Sequence, residues 1–330
     1  MDELALASAT PTKVPLLRAL TGYGAPVCIP SDGRRNADAG AARILQAHAG
    51  RINAVAVTSD GRRALSASWD QTLKLWDLQS GQEMRTLLGH ARPVDAVAVT
   101  PNGKSAVSAS WDYTVKVWEL ESGLEVRTLA GHADVVKAIA VTPDGRRAIS
   151  ASADETLKVW ELDSGRTVQT LRGHARSVWA VGVTPDGWRA VSASYDQTLK
   201  VWELESGRLL RTLRGHLGQV NAVVVTQDGR GAVSGSADQT LKLWDLESGR
   251  ELRTLEGHAG AVHSVALTPD GRCAVSASAD QTVKVWELAS GATIATFFCD
   301  ASAQCCALAN DRKIVVGDAS GRIHILELEA

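Results

Sequence analysis

Six histidines and six aspartates stand in one repeated order. His48, His90, His132, His174, His216 and His258 are followed in turn by Asp70, Asp112, Asp154, Asp196, Asp238 and Asp280. An imidazole that meets a carboxylate can serve as a catalytic dyad, as part of a metal site, or as a buried structural hydrogen bond. A functional site is normally unique in a chain, whereas this set recurs six times at a step of 42 residues. The recurrence favours the structural role. Six tryptophans keep the same step: Trp76, Trp118, Trp160, Trp202, Trp244 and Trp286. A buried indole N–H also needs an acceptor.

A period of roughly 20–50 residues marks one supersecondary unit used repeatedly, each copy burying its apolar face only against its neighbours. The unit that begins at Gly89 shows the elements. Val94 to Thr100 alternates as a strand, and Pro101-Asn102-Gly103 is a hairpin turn in which glycine tolerates the left-handed conformation. Lys104 to Ser110 is a second strand, and Trp111-Asp112-Tyr113 is a tight turn. Thr114 to Leu120 is a third strand, Glu121-Ser122-Gly123 turns the chain again, and Leu124 to Leu129 is a fourth strand. Four short antiparallel strands per unit and no helix predict an all-β array. Alanine recurs in the first strand, at Ala54, Ala96, Ala138, Ala180 and Ala222. Small residues suit strands that converge near an axis, so the units are expected to be blades set radially with this strand innermost.

The bulk numbers exclude several classes. Residues 42–330 are accounted for by seven units, so one domain is expected after an N-terminal tail, residues 1–41. The net charge of −2 gives no basic field for a nucleic acid or an anionic membrane. No apolar run approaches the ~18 residues of a membrane span. The opening MDELALASATPTKV lacks the pattern of a secretory signal. Cys28, Cys273, Cys299, Cys305 and Cys306 ignore the repeat, form no disulfide framework and match no zinc spacing. A cytoplasmic monomer without metal or cofactor is expected.

Gly-His, then Ser-x-Ser-x-Asp, then Trp-Asp or Trp-Glu six residues after the aspartate, resembles the WD-repeat (WD40) β-propeller family. The likeness covers roughly 290 residues, with the literal Trp-Asp pair at 76–77 and 244–245. It implies a buried network in each blade, in which the aspartate holds the histidine, the histidine meets a strand hydroxyl, and the hydroxyl meets the indole N–H. The hydroxyl would be the first serine of each pair: Ser66, Ser108, Ser150, Ser192, Ser234 and Ser276. The second serine is the alternative.

The expected fold is an all-β, seven-bladed propeller of four-stranded antiparallel blades. The chain ends after a third strand, Arg322 to Leu328, and begins its repeats with a spare fourth strand, Ala42 to His48. The spare strand is expected to complete the last blade and remove an open edge. Leu16 to Leu20, inside an eroded repeat in an otherwise largely disordered tail, is the rival closing strand. The seventh blade has Asp300, Val316, Ser320 and Leu326 where the network residues would stand. It is expected to lack a polar network and to rely on Phe297, Ile314, Val315, Ile323 and Ile325.

The copies differ from one another mainly at three positions. The residue before the turn aspartate reads Trp69, Trp111, Ala153, Tyr195, Ala237, Ala279. The fifth residue after the histidine reads Asn53, Asp95, Lys137, Trp179, Asn221, His263, and two places earlier lie Arg51, Pro93, Val135, Ser177, Gln219 and Ala261. In a propeller these positions fall on the narrow face. Trp69, Trp111, Trp179 and Tyr195 are expected to be exposed there, with Arg51, Asn53, Asp95, Lys137, Asn221 and His263 around them. Aromatic and arginine side chains dominate binding hot spots, so a protein or peptide partner is expected. Trp188, in a turn at the opposite end, is read as incidental. An enzyme built on the channel would use Asp95, Lys137 and His263, but no nucleophile motif or glycine-rich phosphate loop accompanies them. A bare structural array with drifted copies is the third reading. The ending GDASGRIHILELE resembles propeller arrays of bacterial multidomain signalling proteins, which implies a sensing module.

Overall fold

The structure, a computed structural model, describes residues 17–19, 43–310 and 313–328. Seven antiparallel sheets form a ring, and the described residues contain no helix. The first blade shows the plan, from inside to outside: Ile52–Val57, Arg63–Ser68, Leu73–Asp77 and Glu83–Leu87. First strands of neighbouring sheets touch all the way round, from Ile52–Val57 to Val94–Val99 and finally from Ala303–Leu308 back to Ile52–Val57. The ring is therefore closed.

Burial explains the residue pattern. The second strand of each blade, such as Ser105–Ser110, is covered on both faces and is built from Ala, Val and Ser. The outer strand, such as Glu83–Leu87, is exposed except for one leucine and carries charge along a short free edge. One apolar cluster fills each gap between blades, seven in all among the described residues. In each, one blade offers second- and third-strand side chains to its neighbour's inner strand. Leu65, Leu73 and Leu75 of the first blade thus pack with Val94, Ala106 and Trp118 of the second. Each blade depends on the next, as expected of a repeat that cannot bury its own face.

Near the axis, size is conserved across strand pairs. Ala54, Ala96, Ala138 and Ala180 each sit opposite another alanine. Cys305 is larger, and its partner is Gly317, where an added methyl would lie 2.8 Å from the Cys305 sulfur and 2.5 Å from Ile52. The exchange keeps volume roughly constant in a close-packed site.

Each inner strand also carries a β-bulge. Ile52 pairs Ser68 and Ala54 pairs Ala67, which leaves Asn53 without an opposite number. The same break leaves Asp95, Lys137, Trp179, Asn221, His263 and Gln304 unpaired in the other six blades. A bulge redirects one side chain without ending the strand.

The seam joins both ends of the chain. Arg43–Gln46 pairs antiparallel with residues Arg322 to Ile325 of the last strand, so the spare strand does complete the seventh blade. The rival segment takes part as well. Leu17–Ala19 continues along the same edge, opposite Leu326 to Leu328. The outer strand of this blade is therefore composite, and three residues assigned to the tail belong to the ring. The rest of the tail lies outside the described residues. Leu45 and Ala47 pack with Ile52, Trp76, Val315, Ile323 and Ile325 between the seventh and first blades.

One expectation for this blade is corrected: it has a polar network of its own. Asp318, at the place of the second serine, accepts from His324 Nε2 at 2.8 Å, and both side chains are buried. Asp318 also accepts from Ser320 and from the Arg322 backbone N–H. The pair was missed because it uses strand positions different from those of the other six blades. Leu45→Asp would place a carboxylate in the seam and is expected to lower unfolding free energy by about 2–4 kcal/mol, against under about 1 kcal/mol for the exposed Ile44→Asp. Urea unfolding of the two variants checks this, and equal losses would remove the strand from the closure.

Candidate functional site

The six histidine networks are complete and identical in plan. The carboxylate Oδ2 of Asp70, Asp112, Asp154, Asp196, Asp238 and Asp280 accepts from histidine Nδ1 at 2.7–2.8 Å. Histidine Nε2 lies 2.7 Å from the Oγ of Ser66, Ser108, Ser150, Ser192, Ser234 and Ser276. The indole Nε1 of Trp76, Trp118, Trp160, Trp202, Trp244 and Trp286 donates to the same oxygen at 2.7–2.9 Å. With Nδ1–H donated to the carboxylate, Nε2 must accept the serine proton, so the chain runs from indole to hydroxyl to imidazole to carboxylate. The second serine acts elsewhere. Ser110 donates to the loop carbonyls of Arg92 and Pro93 and accepts from the Asp112 N–H.

The charges follow from these contacts. Burial works to raise the carboxyl of Asp112, but hydrogen bonds from His90 and Thr114 outweigh it and hold the group well below the ordinary range. Asp154, Asp196 and Asp238 behave alike, and Asp280 is held at about 2. Burial lowers His48 and His258 despite the pull of their aspartates. The imidazoles are buried, so no solute reaches them, and their chemistry is that of a brace.

The brace positions the variable residues. The N–H of the residue before each turn aspartate bonds the carbonyl of the loop before the inner strand: Trp69 to Arg51, Trp111 to Pro93, Ala153 to Val135 and Tyr195 to Ser177. Loop, turn and bulge residue thus lie side by side on one face of the ring.

On that face the first four blades form one connected belt. Arg51 Cζ lies 4.5 Å from the Trp69 ring centroid. Trp69 meets Trp111 edge-on at 4.8 Å. Lys137 Nζ lies 4.3 Å from both the Trp111 and Trp179 rings, and Trp179 stacks on Tyr195 at 4.3 Å. Asp95 sits at the centre and accepts from Lys137 Nζ at 2.8 Å, Trp111 Nε1 at 2.7 Å and Asn53 Nδ2 at 3.0 Å. Burial raises the Tyr195 hydroxyl to about 12, with help from the Asp95 charge.

Four expectations change here. Trp69 is exposed at 40%, but Trp111, Trp179 and Tyr195 are half-buried against one another and against Lys137. Asn221 is buried and bonds the Val262 carbonyl of the next blade at 3.0 Å, so it fastens blades together. Asn53 does the same to Val94 at 2.9 Å. His263 lies outside the belt's hydrogen bonds. The sequence reading also omitted Gln304, the seventh bulge residue, whose amide bonds Ser302 Oγ at 2.7 Å. The shorter seventh repeat concealed it. Among the described residues no group of histidine, cysteine and acidic side chains is arranged to hold a metal ion.

The family described as WD domain, G-beta repeat matches residues 41–77, 81–119, 123–161, 165–203 and 207–245. The chain belongs to the WD40 repeat family. The sixth and seventh blades, residues 258–328, match the TEP-1 C-terminal beta-propeller. Each WD40 match begins at one blade's outer strand and ends on the third strand of the next, so the sequence repeat straddles two blades. Over 43 residues the chain is 51% identical to cross-pathway control WD-repeat protein 2 of Flammulina velutipes, covering 13% of this chain and 14% of that protein. Over 41 residues it is 54% identical to small ribosomal subunit protein RACK1 of Drosophila melanogaster, 12% of this chain and 13% of that protein. The Caenorhabditis elegans RACK1 is 46% identical over 46 residues, 14% of each chain. The chain thus matches about one seventh of the length of these relatives, roughly one repeat.

In this WD40 ring, Ser192→Ala would strand both the His174 imidazole and the Trp202 indole. It is expected to cost about 1–3 kcal/mol in a denaturant titration, and a loss under a few tenths would refute the brace. Stability should also depend on pH in two windows. Unfolded histidines take up protons below about 6.5, while folded His48 and His258 resist them, so acidification below that value favours the unfolded chain. The aspartates contribute fully above their unfolded value of 3.8, and that contribution is lost as pH falls towards about 2. A melting temperature that stays level from pH 7 to pH 5 would contradict the histidine part.

Proposed function

We propose that this chain is a non-catalytic scaffold or sensor that holds a protein or peptide on the face carrying the aromatic belt. WD40 propellers typically act as protein-interaction scaffolds. One observation carries the reading. The positions at which the repeats differ hold aromatic and charged side chains in four consecutive blades, and those side chains touch in a single chain from Arg51 to Tyr195. Unselected drift would scatter such residues around the ring. The corresponding turn residues of the third, fifth and sixth blades are Ala153, Ala237 and Ala279, and the belt crosses the third blade through Lys137 instead. Aromatic and arginine anchors in partly desolvated settings dominate protein interfaces.

The enzyme reading has less support. Asp95 and Lys137 are paired with each other at 2.8 Å, and Asp95 also accepts from Trp111 and Asn53, so both side chains are already engaged within the belt. His263 stands in the sixth blade and bonds neither. We therefore assign no catalytic residue, cofactor or metal. We take the partner to be protein rather than nucleic acid or membrane, in keeping with the net charge of −2. Cys273, Cys305 and Cys306 form no disulfide, which suits a reducing compartment such as the cytoplasm.

Affinity capture with the full chain tests the reading. Wild type is compared with a Trp69→Ala/Tyr195→Ala variant and with Trp188→Ala, which alters a 72% exposed tryptophan at the opposite end. A partner retained by Trp188→Ala and lost by the double variant, at unchanged fold, is the expected result. Equal retention by both would move the site off this face.

A further inference from the structure

A belt of tryptophans suits a cationic ligand, because ring faces attract ammonium and guanidinium groups. Here those ring faces are already occupied. Lys137 lies between Trp111 and Trp179, and Arg51 lies over Trp69. A lysine or arginine arriving at the belt from a partner would meet two resident cations, and the belt's one carboxylate, Asp95, is already paired with Lys137. Asp95 is fully engaged by Asn53, Trp111 and Lys137.

The same contacts leave Arg51 as the unneutralised cation of the belt. Lys137 has Asp95 at 2.8 Å, whereas Arg51 has no carboxylate partner among the described residues. It is nevertheless held in place. Its Nε donates to Asn53 Oδ1 at 2.8 Å, and its Cζ lies over the Trp69 ring. The two terminal nitrogens remain without an acceptor among the described residues, at an open depression lined by Arg51 and Trp69. A guanidinium anchored through Nε and presenting its terminal nitrogens matches a carboxylate bidentately. The Arg51 charge is also felt by His263 of the sixth blade, where burial first and then that charge keep the imidazole low. His263 therefore adds no second cation at neutral pH.

We infer that this face recognises a carboxylate: an aspartate or glutamate side chain of an acidic peptide segment, gripped by the terminal nitrogens of Arg51 at the edge of the Trp69 ring. The inference rests on the protein-binding role proposed above and narrows it to a class of partner. The surroundings favour a defined orientation. Arg92 and Arg176 are exposed on the same face, in the second and fourth blades, while the third blade carries Asp134 and Glu155. The acidic residue is placed over the first blade, away from the third.

Fluorescent decapeptide pools with randomised flanks and a fixed central Glu, Gln, Lys or phosphoserine, equilibrated with the full chain, test this. The Glu pool is expected to bind at least about tenfold more tightly than the Gln and Lys pools. Arg51→Met, at unchanged melting temperature, is expected to abolish that distinction, and Arg51→Lys to keep part of it. Equal binding of Glu and Gln, preference for Lys, or no binding of the Glu pool overturns the inference. Preference for phosphoserine over Glu also overturns it, in favour of a phosphopeptide. A captured partner that Arg51→Met keeps and Trp69→Ala/Tyr195→Ala loses would overturn the carboxylate alone and leave the protein-binding role standing.

Discussion

The structure depends on a hydrogen-bond chain that can run in only one direction. Indole N–H and carboxylate fix the two ends, one a pure donor and the other a pure acceptor, so the serine and histidine between them have no alternative arrangement. Reversing any link would leave a buried group unmet. The chain ties the loop before the inner strand, the second strand, the tight turn and the third strand to one another. It also makes the turn tolerable to the fold. The residue after each aspartate, such as Gln197 at φ 68°, sits in the left-handed region although it is not glycine. The aspartate's bonds to the following threonine and to the histidine hold that conformation in place.

From that brace follows a division between what is constant and what is free. Apolar contacts lie between blades, so every second- and third-strand position answers to a neighbour and tolerates little change. The bulge residue has no opposite number, and the residue before the aspartate needs only its backbone N–H. These side chains are the ones the repeat leaves unconstrained. They are also placed together, because the same backbone bonds draw loop and turn into one surface. The offset of the sequence repeat against the blade closes the ring. Each repeat lends its first strand to the preceding blade, so a terminal repeat has one strand to give and the other end one strand to receive.

Much of this was legible in the sequence, because the network residues are chemically specific and recur six times. The first serine, which the family resemblance favoured over the second, is the one whose oxygen accepts from the indole and donates to the imidazole. The ring closure was readable from a missing and a spare strand, although the composite edge was not, since Leu16 to Leu20 and Ala42 to His48 each read as a whole closing strand and so as rivals, whereas each covers only part of the last strand. The belt was legible as a set of residues and illegible as a structure. Nothing in the letters shows that Lys137 would enter between Trp111 and Trp179, because those residues come from adjacent blades and meet only through the ring's curvature. Asn53 and Asn221 read as surface polar residues, yet a bulge aims their amides at the next blade's carbonyl. Asp318 and His324 escaped notice because they solve the same burial problem at different positions.

That last case shows what the constraint is. The seventh blade lost indole, serine and turn aspartate together, and the ring remained closed. Asp318 still binds the turn, through Ser320 and Arg322, and His324 supplies the imidazole from the third strand. Arg322 reaches Asp300, which stands where the other blades have histidine. What a blade requires is therefore a carboxylate, half-buried in six blades and buried in the seventh, that fastens its second-to-third-strand turn, and a buried imidazole that accompanies it, in any arrangement that leaves the carboxylate satisfied. The seam blade meets that need with residues outside the repeat, because it alone must also accept strands from both ends of the chain. The brace is the constant; the tryptophan-serine-histidine-aspartate order is the solution that a duplicated unit passes on.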